Sequence, residues 1–530
     1  MGLLIKRSVK LPNCRYRRPC LWIAIFAWSL ASQAAVKLPG DHLVRGPYVQ
    51  RATPHSICVV WRTDMASTPV VRFGANAAQL DRQAGGADIL IRRGDGRSLA
   101  KTADGSSDFA RLDGAPKGSF QFEACLTGLE PNQQYYYAIY EGEKKLAGGD
   151  ENHRFKTHPM TGANLPVRFW VVGDSGTGRP NQAQVYAAMT NHTARENHPP
   201  DFYLHVGDLA YSRGRDAEFQ AHYFEMYGAT LRHTVCWAAM GNHEGYRAKG
   251  TQGTGVGPYF DAFVQPMKGE AGGVSSRTES YYSFDWGRVH FLCLNSHDED
   301  RKPTGRMAQW IQEDLSQAKA GGQTDWLIAF FHHAPYTKGT HDSDKEKALV
   351  EVRQYLMPIL EQGGVDLVLT GHSHIYERSM LMDGAYDAKT TATHVILNDG
   401  DGDPQGDGAY RKSAGIHSHQ GTVQVVTGHG GATVGRKGTM PVMRKITVEH
   451  GSTLVDISGD TLSAIMLNKK GEVGDRFSVI KRGQVELRRL ANPWQPPGWK
   501  ANAAVSTSAE PPEAYVTLIK AALATRVDEP

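Results

Sequence analysis

The 530-residue sequence predicts an α/β layered domain preceded by a small all-β sandwich. Three observations carry this. Up to about residue 160 the chain is a series of short runs rich in Val, Tyr and Phe, with turn residues between them and no helical period. Beyond that point, apolar runs alternate with longer helix-like stretches. Five of the later apolar runs also end in an acid, an amide or an imidazole, at the strand edge where open α/β sheets bind ligands.

The chain opens on "MGLLIKRSVKLPNCRYRRPC", which holds Lys and Arg and no acid, followed by the apolar "LWIAIFAWSLA" and then "SQAAV". The apolar stretch is short for a membrane span, and Ser32 and Ala34 stand where a signal peptidase cuts. Residues 1–34 therefore read as a secretory signal, with an uncleaved anchor as the other reading. Arg17-Arg18 raises a twin-arginine route, although Pro19-Cys20 follows where an apolar pair is preferred. The mature chain is then exported, to a periplasm, a cell surface or the extracellular space, with no membrane span of its own. With a net charge of +4 and both signs interspersed, nothing suggests a basic stripe for nucleic acid or a membrane surface. Oligomeric state is not legible.

The sandwich, about residues 41–160, is read from "SICVVWRT", "PVVRFG", "GSFQFEACLTGL" and "QYYYAIYEG". "LTGLEPNQQYYYAI" with "HRFKTHP" resembles the closing strands of a fibronectin type III-like domain. No catalytic constellation lies there. Once Cys14 and Cys20 leave with the signal, Cys58, Cys125, Cys236 and Cys293 remain, each in or beside an apolar run. With no CxxC, a zinc ribbon or dithiol motif is not indicated. Disulfides and buried thiols both stay open.

The α/β domain, about residues 165–470, takes its helices from "NQAQVYAAMTNHTAREN", "RMAQWIQEDLSQAKA" and "KALVEVRQYLMPILEQ". Its strand ends carry the chemistry. "VRFWVVGDSG" ends in Asp174, and "DFYLHVGDLAYS" in Asp208 and Tyr211. "TVCWAAMGNHEG" ends in Asn242 and His243, "DWLIAFFHHAPY" in His332 and His333, and "VDLVLTGHSHIYER" in His372 and His374. Each motif alone is weak, since GD is common and an HxH loop is usually solvated. Together they offer oxygen and imidazole donors, a mixture suited to Fe, Mn or Zn rather than Ca or Mg. The donors are enough for two ions and excessive for one, so one carboxylate must bridge, and Asp208 is the natural choice. Two ions about 3.5–4 Å apart suit phosphoryl displacement. His372 and His374, at i and i+2 of an extended segment, point to one side and can each reach a different ion.

The order DxG, GDxxY, GNHE, HxP and GHxH resembles the calcineurin-like metallophosphoesterase superfamily. Tyr three residues after the second Asp, with "GHSHIYER", resembles its purple acid phosphatases, which also carry a fibronectin-like domain ahead of the catalytic one. The resemblance covers roughly residues 41–470 and implies an αββα metallophosphoesterase sandwich. It implies that Asp174, Tyr211 and His374 bind Fe(3+), that Asp208 bridges, and that Asn242, His333 and His372 bind a divalent ion (Fe, Zn or Mn). His333 is chosen over His332 because it stands two before Pro335, as in HxP, with His332 as the other reading. The phenolate Tyr211 would give the Fe(3+) site its colour. His243 would hydrogen-bond the phosphate.

By the same resemblance the substrate is a phosphate monoester, as for an acid phosphatase. A metal-activated hydroxide would attack phosphorus in line with the leaving oxygen. His341 is the candidate acid for the leaving group, in a loop shorter than in the plant enzymes, with a solvated loop histidine as its other reading. Glu377 and Arg378 are expected to fix the loop by a salt bridge. A phosphodiesterase or nucleotidase with the same metals is the alternative, and a non-catalytic surface protein the more distant one. "NDGDGDPQGDGAY" (398–410) reads as a flexible acidic insertion, with calcium at Asp399, Asp401 and Asp403 as the other reading. His290, His394, His417, His419 and His429 have no partner motif. The Pro- and Ala-rich segment after about 480 reads as an extended or disordered tail with one short helix in "AYVTLIKAALATRV".

Overall fold

The computed structural model of this protein describes residues 42–96, 114–250 and 255–497. The expected signal segment and the short C-terminal helix lie outside these residues.

The first domain is a two-sheet sandwich. Leu43–Gln50, Ile57–Thr63, Phe120–Leu126 and Ile89–Arg93 form one sheet in that order. Arg82–Gly85, Pro69–Gly74, Gln134–Glu141 and Lys144–Gly148 form another, with Arg154–Lys156 also paired to Gln134–Glu141. Period-two alternation places Val59, Trp61, Phe122, Ala124, Tyr137 and Ile139 together in the core. Cys58 and Cys125 sit opposite each other on neighbouring strands and form a disulfide, while Cys236 and Cys293 are buried thiols. Both readings of the cysteines are thus realised, each for one pair.

The second domain stacks two seven-stranded sheets. The first contains the parallel strands Val167–Val172, Phe202–His205 and Cys236–Ala238. The second contains the parallel strands Val289–Cys293, Trp326–His333, Leu367–Gly371 and Val423–Thr427. Phe169, Val171, Leu204, Ile328, Phe330 and Leu369 meet in one core between the sheets. On the outer face of the second sheet, helix Arg306–Ala320 buries Met307, Ile311 and Leu315 against Leu327, Ala329 and Phe331. On the first sheet, helix Pro180–Arg195 packs Val185 and Met189 against Trp170 and Tyr203. These layers are the αββα order.

A buried ion pair joins the two domains. Arg62 donates from one guanidinium nitrogen to both Asp216 carboxylate oxygens, at 2.9 and 2.8 Å, and Arg45 approaches the same carboxylate at 3.1 Å. All three side chains are almost fully buried.

The segment after about 480, expected to be extended or disordered, runs without regular structure over its described residues but packs on the domain. The strand leading into it, Val473–Lys481, belongs to the first sheet. Leu487, Leu490 and Trp494 then pack on the hydrophobic clusters. The Asp-rich loop is also committed, because Trp494 N–H donates to Asp399 and the N–H groups of Asp403 and Asp407 donate to Asp401. Short Asp side chains satisfy their own turn here, and among the described residues Asp399, Asp401 and Asp403 do not form a cation-holding group. Arg378 pairs with Asp475, whereas Glu377 accepts from Thr337 and the Lys338 N–H. Adjacent strand residues face opposite sides, so the two anchor the loop through separate partners.

His290, which the sequence leaves without a role, is buried between Asp285 at 2.7 Å and Asp314 at 2.8 Å. Burial opposes its charge, but the two carboxylates prevail and raise its pKa from 6.5 to about 10. A proton is therefore taken up on folding, and this stabilisation, complete below pH 6.5, is lost as pH rises through about 10. In His290→Asn, the melting temperature is expected to fall less across that window than in the wild type, when both are followed by circular dichroism. Parallel curves would show that this triad does not govern alkaline stability.

Candidate metal centre

Seven donor side chains converge at the carboxyl ends of the parallel strands, over the seam between the sheets. They fall into two groups. In the first, Tyr211 Oη lies 2.9 Å from Asp208 Oδ2, 3.2 Å from Asp174 Oδ1 and 3.2 Å from His374 Nε2. In the second, Asn242 Oδ1 lies 2.9 Å from His332 Nε2 and 2.8 Å from His372 Nδ1. His332 Nε2 is 3.2 Å from His372 Nδ1 and 3.5 Å from Asp208 Oδ1. The two oxygens of Asp208 therefore face one group each.

The backbone is shaped to allow this. Asp174, Asp208 and His372 all adopt positive φ, at 54°, 58° and 64°. Each such non-glycine residue costs about 1 kcal/mol or more, a strain typical of functional sites. At Gly207, φ is +96° and a Cβ would stand 2.4 Å from His332 Nδ1, so only glycine lets that ring approach. Glu244 anchors the floor. Its two oxygens accept the N–H groups of Asp208, Leu209, Ala210 and Gly241 at 2.8–3.0 Å. Burial and Asp208 raise its pKa, while the Gly241, Ala210 and Asp208 N–H groups act the other way.

The donor set fits cations. His332 Nδ1 lies 2.9 Å from Val206 O, and His374 Nδ1 lies 3.1 Å from Thr433 O. Each Nδ1 carries a proton to donate there, so in the neutral ring each Nε2 turns a lone pair toward the cluster. Lone pairs of two imidazoles, an amide oxygen and two carboxylates then face one another at close range, which only protons or cations relieve. Burial and the two carboxylates push the Tyr211 phenol well above its usual pKa, an effect that a bound cation inverts. Burial lowers His372 to about 4 despite its contact with Glu346, keeping it neutral and able to ligate.

One expected ligand lies beside the two donor groups rather than in them. His333 does not enter either donor group. Its Nδ1 lies 3.0 Å from Ser296 Oγ, which also accepts the His333 N–H at 2.9 Å. His332 takes its place because Ile328, Phe330 and His332 share the face that looks between the sheets, whereas Phe331 and His333 look the other way.

Two other residues escaped the sequence. Glu346 Oε2 lies 2.7 Å from His341 Nδ1 and 3.7 Å from His372 Nε2, and the His341 ring stacks on His372 at 3.8 Å. Burial opposes ionisation of Glu346, yet the neighbouring His372 ring and hydrogen bonds from the Asp342 N–H and His341 hold it down at about 2. Glu244 was visible in "GNHEG" without a stated task. His243 Nδ1 donates to Ser212 O at 2.6 Å, and its Nε2 stands 3.8 Å from Asp208 Oδ2. His429 is buried between the strands with neither ring nitrogen hydrogen-bonded.

Comparison with known proteins places this geometry. Residues 167–376 match the calcineurin-like phosphoesterase family, and residues 47–157 match the purple acid phosphatase N-terminal domain. Purple acid phosphatase 23 of Arabidopsis thaliana is 27% identical over 356 residues, covering 62% of this chain and 72% of its own. The chain spans 58% of another curated relative, the uncharacterized protein Rv2577 of Mycobacterium tuberculosis, at 27% identity over 339 residues and 58% of this chain. In fold, it is similar to the purple acid phosphatase PPD1 of yellow lupin seeds, with a TM-score of 0.57 at 16% identity, covering 83% of this chain and 75% of that one.

Proposed function

We propose that this chain, a purple acid phosphatase-like protein of the calcineurin-like metallophosphoesterase superfamily, is an exported phosphomonoesterase with a two-cation centre. The observation that carries the reading is Asp208, with one oxygen facing each donor group. Asp174, Tyr211, His374 and Asp208 Oδ2 would hold one cation, taken as Fe(3+). Asn242, His332, His372 and Asp208 Oδ1 would hold a divalent partner, Fe, Zn or Mn. Bound there, the pair supplies Lewis acidity toward the phosphoryl group and activates water at mild pH.

The chain's own residues do the rest. His243, fixed by its bond to Ser212 O, points Nε2 at the donor cluster and, as an imidazolium, donates to a phosphoryl oxygen. His341 is oriented by Glu346 and delivers the proton to the leaving oxygen from Nε2. The acid-poor leader and small-residue cleavage site support export, as does the Cys58–Cys125 disulfide, which suits an oxidising compartment.

The test compares hydrolysis of p-nitrophenyl phosphate with that of bis-p-nitrophenyl phosphate by metal-analysed protein. The expected result is a kcat/KM at least tenfold higher on the monoester, with two transition-metal ions and a visible tyrosinate-to-Fe(3+) band. A marked diester preference overturns the substrate class. A colourless, active protein with two Zn or Mn ions overturns the iron assignment alone.

A further inference from the structure

One aromatic side chain beside the centre is half exposed, with His243 and Arg213 against its ring. Tyr246 ends the 3-10 turn Glu244–Tyr246, directly after the donor residue Asn242 and His243. It is 49% exposed, among the most exposed large apolar side chains of the described residues. Its placement is nevertheless rigid. The turn begins at Glu244, whose carboxylate is held by four backbone N–H groups. Gly245 packs under His297 so closely that a Cβ would stand 2.0 Å from Nε2 of that ring.

The rings run outward in sequence. Tyr211, whose hydroxyl sits in the first donor group, has its centroid 4.4 Å from that of His243. His243 is in turn 5.7 Å from Tyr246, nearly edge-on at 78°. Arg213 carries its guanidinium 5.7 Å from the Tyr246 centroid. Arg213 is itself exposed, but its backbone is tied down, since its N–H donates to Glu218 at 3.0 Å. A phosphoryl group held by His243 with its ester substituent directed outward along these rings would bring that substituent to Tyr246. A planar ring there gains an aromatic partner and a nearby cation, whereas a small alkyl group gains little.

We propose that Tyr246 and Arg213 form a leaving-group subsite that selects phosphate monoesters of planar aromatic alcohols over those of simple alkyl alcohols. This rests on the hydrolytic reading of the site. Stacking contacts of this kind are worth roughly a five- to 150-fold effect.

The experiment measures kcat and KM on phenyl phosphate and glycerol 2-phosphate, and binding of phenylphosphonate and methylphosphonate by calorimetry, with the metal-loaded protein. Tyr246→Ala is expected to lower the aryl-over-alkyl ratio of kcat/KM about tenfold, through KM rather than kcat. It should lower the phenyl-over-methyl ratio of phosphonate affinity by the same factor. Tyr246→Phe should keep both ratios, and Arg213→Ala should reduce them about threefold. Ratios unchanged in Tyr246→Ala overturn the subsite, even where every constant shifts. A protein inactive on all monoesters that still loses its phenylphosphonate preference in Tyr246→Ala retains the subsite and sinks the hydrolytic reading instead.

Discussion

Asp208→Asn is expected to cost roughly a thousandfold or more in kcat/KM on p-nitrophenyl phosphate, and to lower the bound metal from about two ions to fewer than one. The reason lies in its two oxygens. Oδ1 faces His332 Nε2 and accepts the His243 N–H at 3.0 Å, while Oδ2 accepts from Tyr211 at 2.9 Å. Asparagine keeps the shape and removes a charge. It also replaces one oxygen with an NH2 group, which donates and does not ligate. Whichever way the amide turns, one donor group loses an anionic oxygen at a site that is 1% exposed. Metal analysis of folded variant, with its circular dichroism compared to wild type, separates loss of ligand from loss of fold. Retention of two ions with activity within tenfold would remove the bridging role.

The second large effect distinguishes two adjacent histidines. His332→Ala is expected to empty the second donor group and to lower activity by roughly a hundredfold or more, because it removes an Nε2 lone pair 2.9 Å from Asn242 Oδ1. His333→Ala removes a ring bonded to Ser296 and stacked on His297 at 6.0 Å. Its cost is expected to stay within about tenfold, the size of an outer-layer effect. Zn or Mn added back at increasing concentration should restore His332→Ala only weakly. If instead His333→Ala is the variant that loses its divalent ion, the face assignment of this strand is wrong.

The same pair shows where sequence reading reaches its limit. Strand Trp326–His333 is buried on both sides, so its apolar pattern carries no alternation from which to phase its end. The HxP spacing chose His333, whereas the donor cluster draws in His332, and only packing against the other sheet tells the two faces apart. Asp174, Asp208, Tyr211, Asn242, His372 and His374 were legible, since each ends a strand behind a turn, and four of the five turns carry a glycine before the donor. Glu346 was not. It sits in the charged run "HDSDKEK", and its contacts with His341 and His372 depend on how that loop folds back. The sandwich strands were legible from turn spacing, but the pairing of Cys58 with Cys125 needed the strand register. The segment after 480 looked solvated because its prolines mask three apolar anchors spaced by three and four residues, Leu487, Leu490 and Trp494.

The Arg62–Asp216 pair makes the boundary near residue 160 a seam between folds rather than between independently surviving parts. Asp216 stands eight positions after Asp208, at the start of the helix that follows the Tyr211 loop. Cut away from the sandwich, the catalytic half would keep a carboxylate built for burial and lose both guanidiniums that make its burial tolerable. The sandwich therefore does more than cap the chain: it neutralises a charge one loop away from the donor cluster, and the two halves would have to be inherited together.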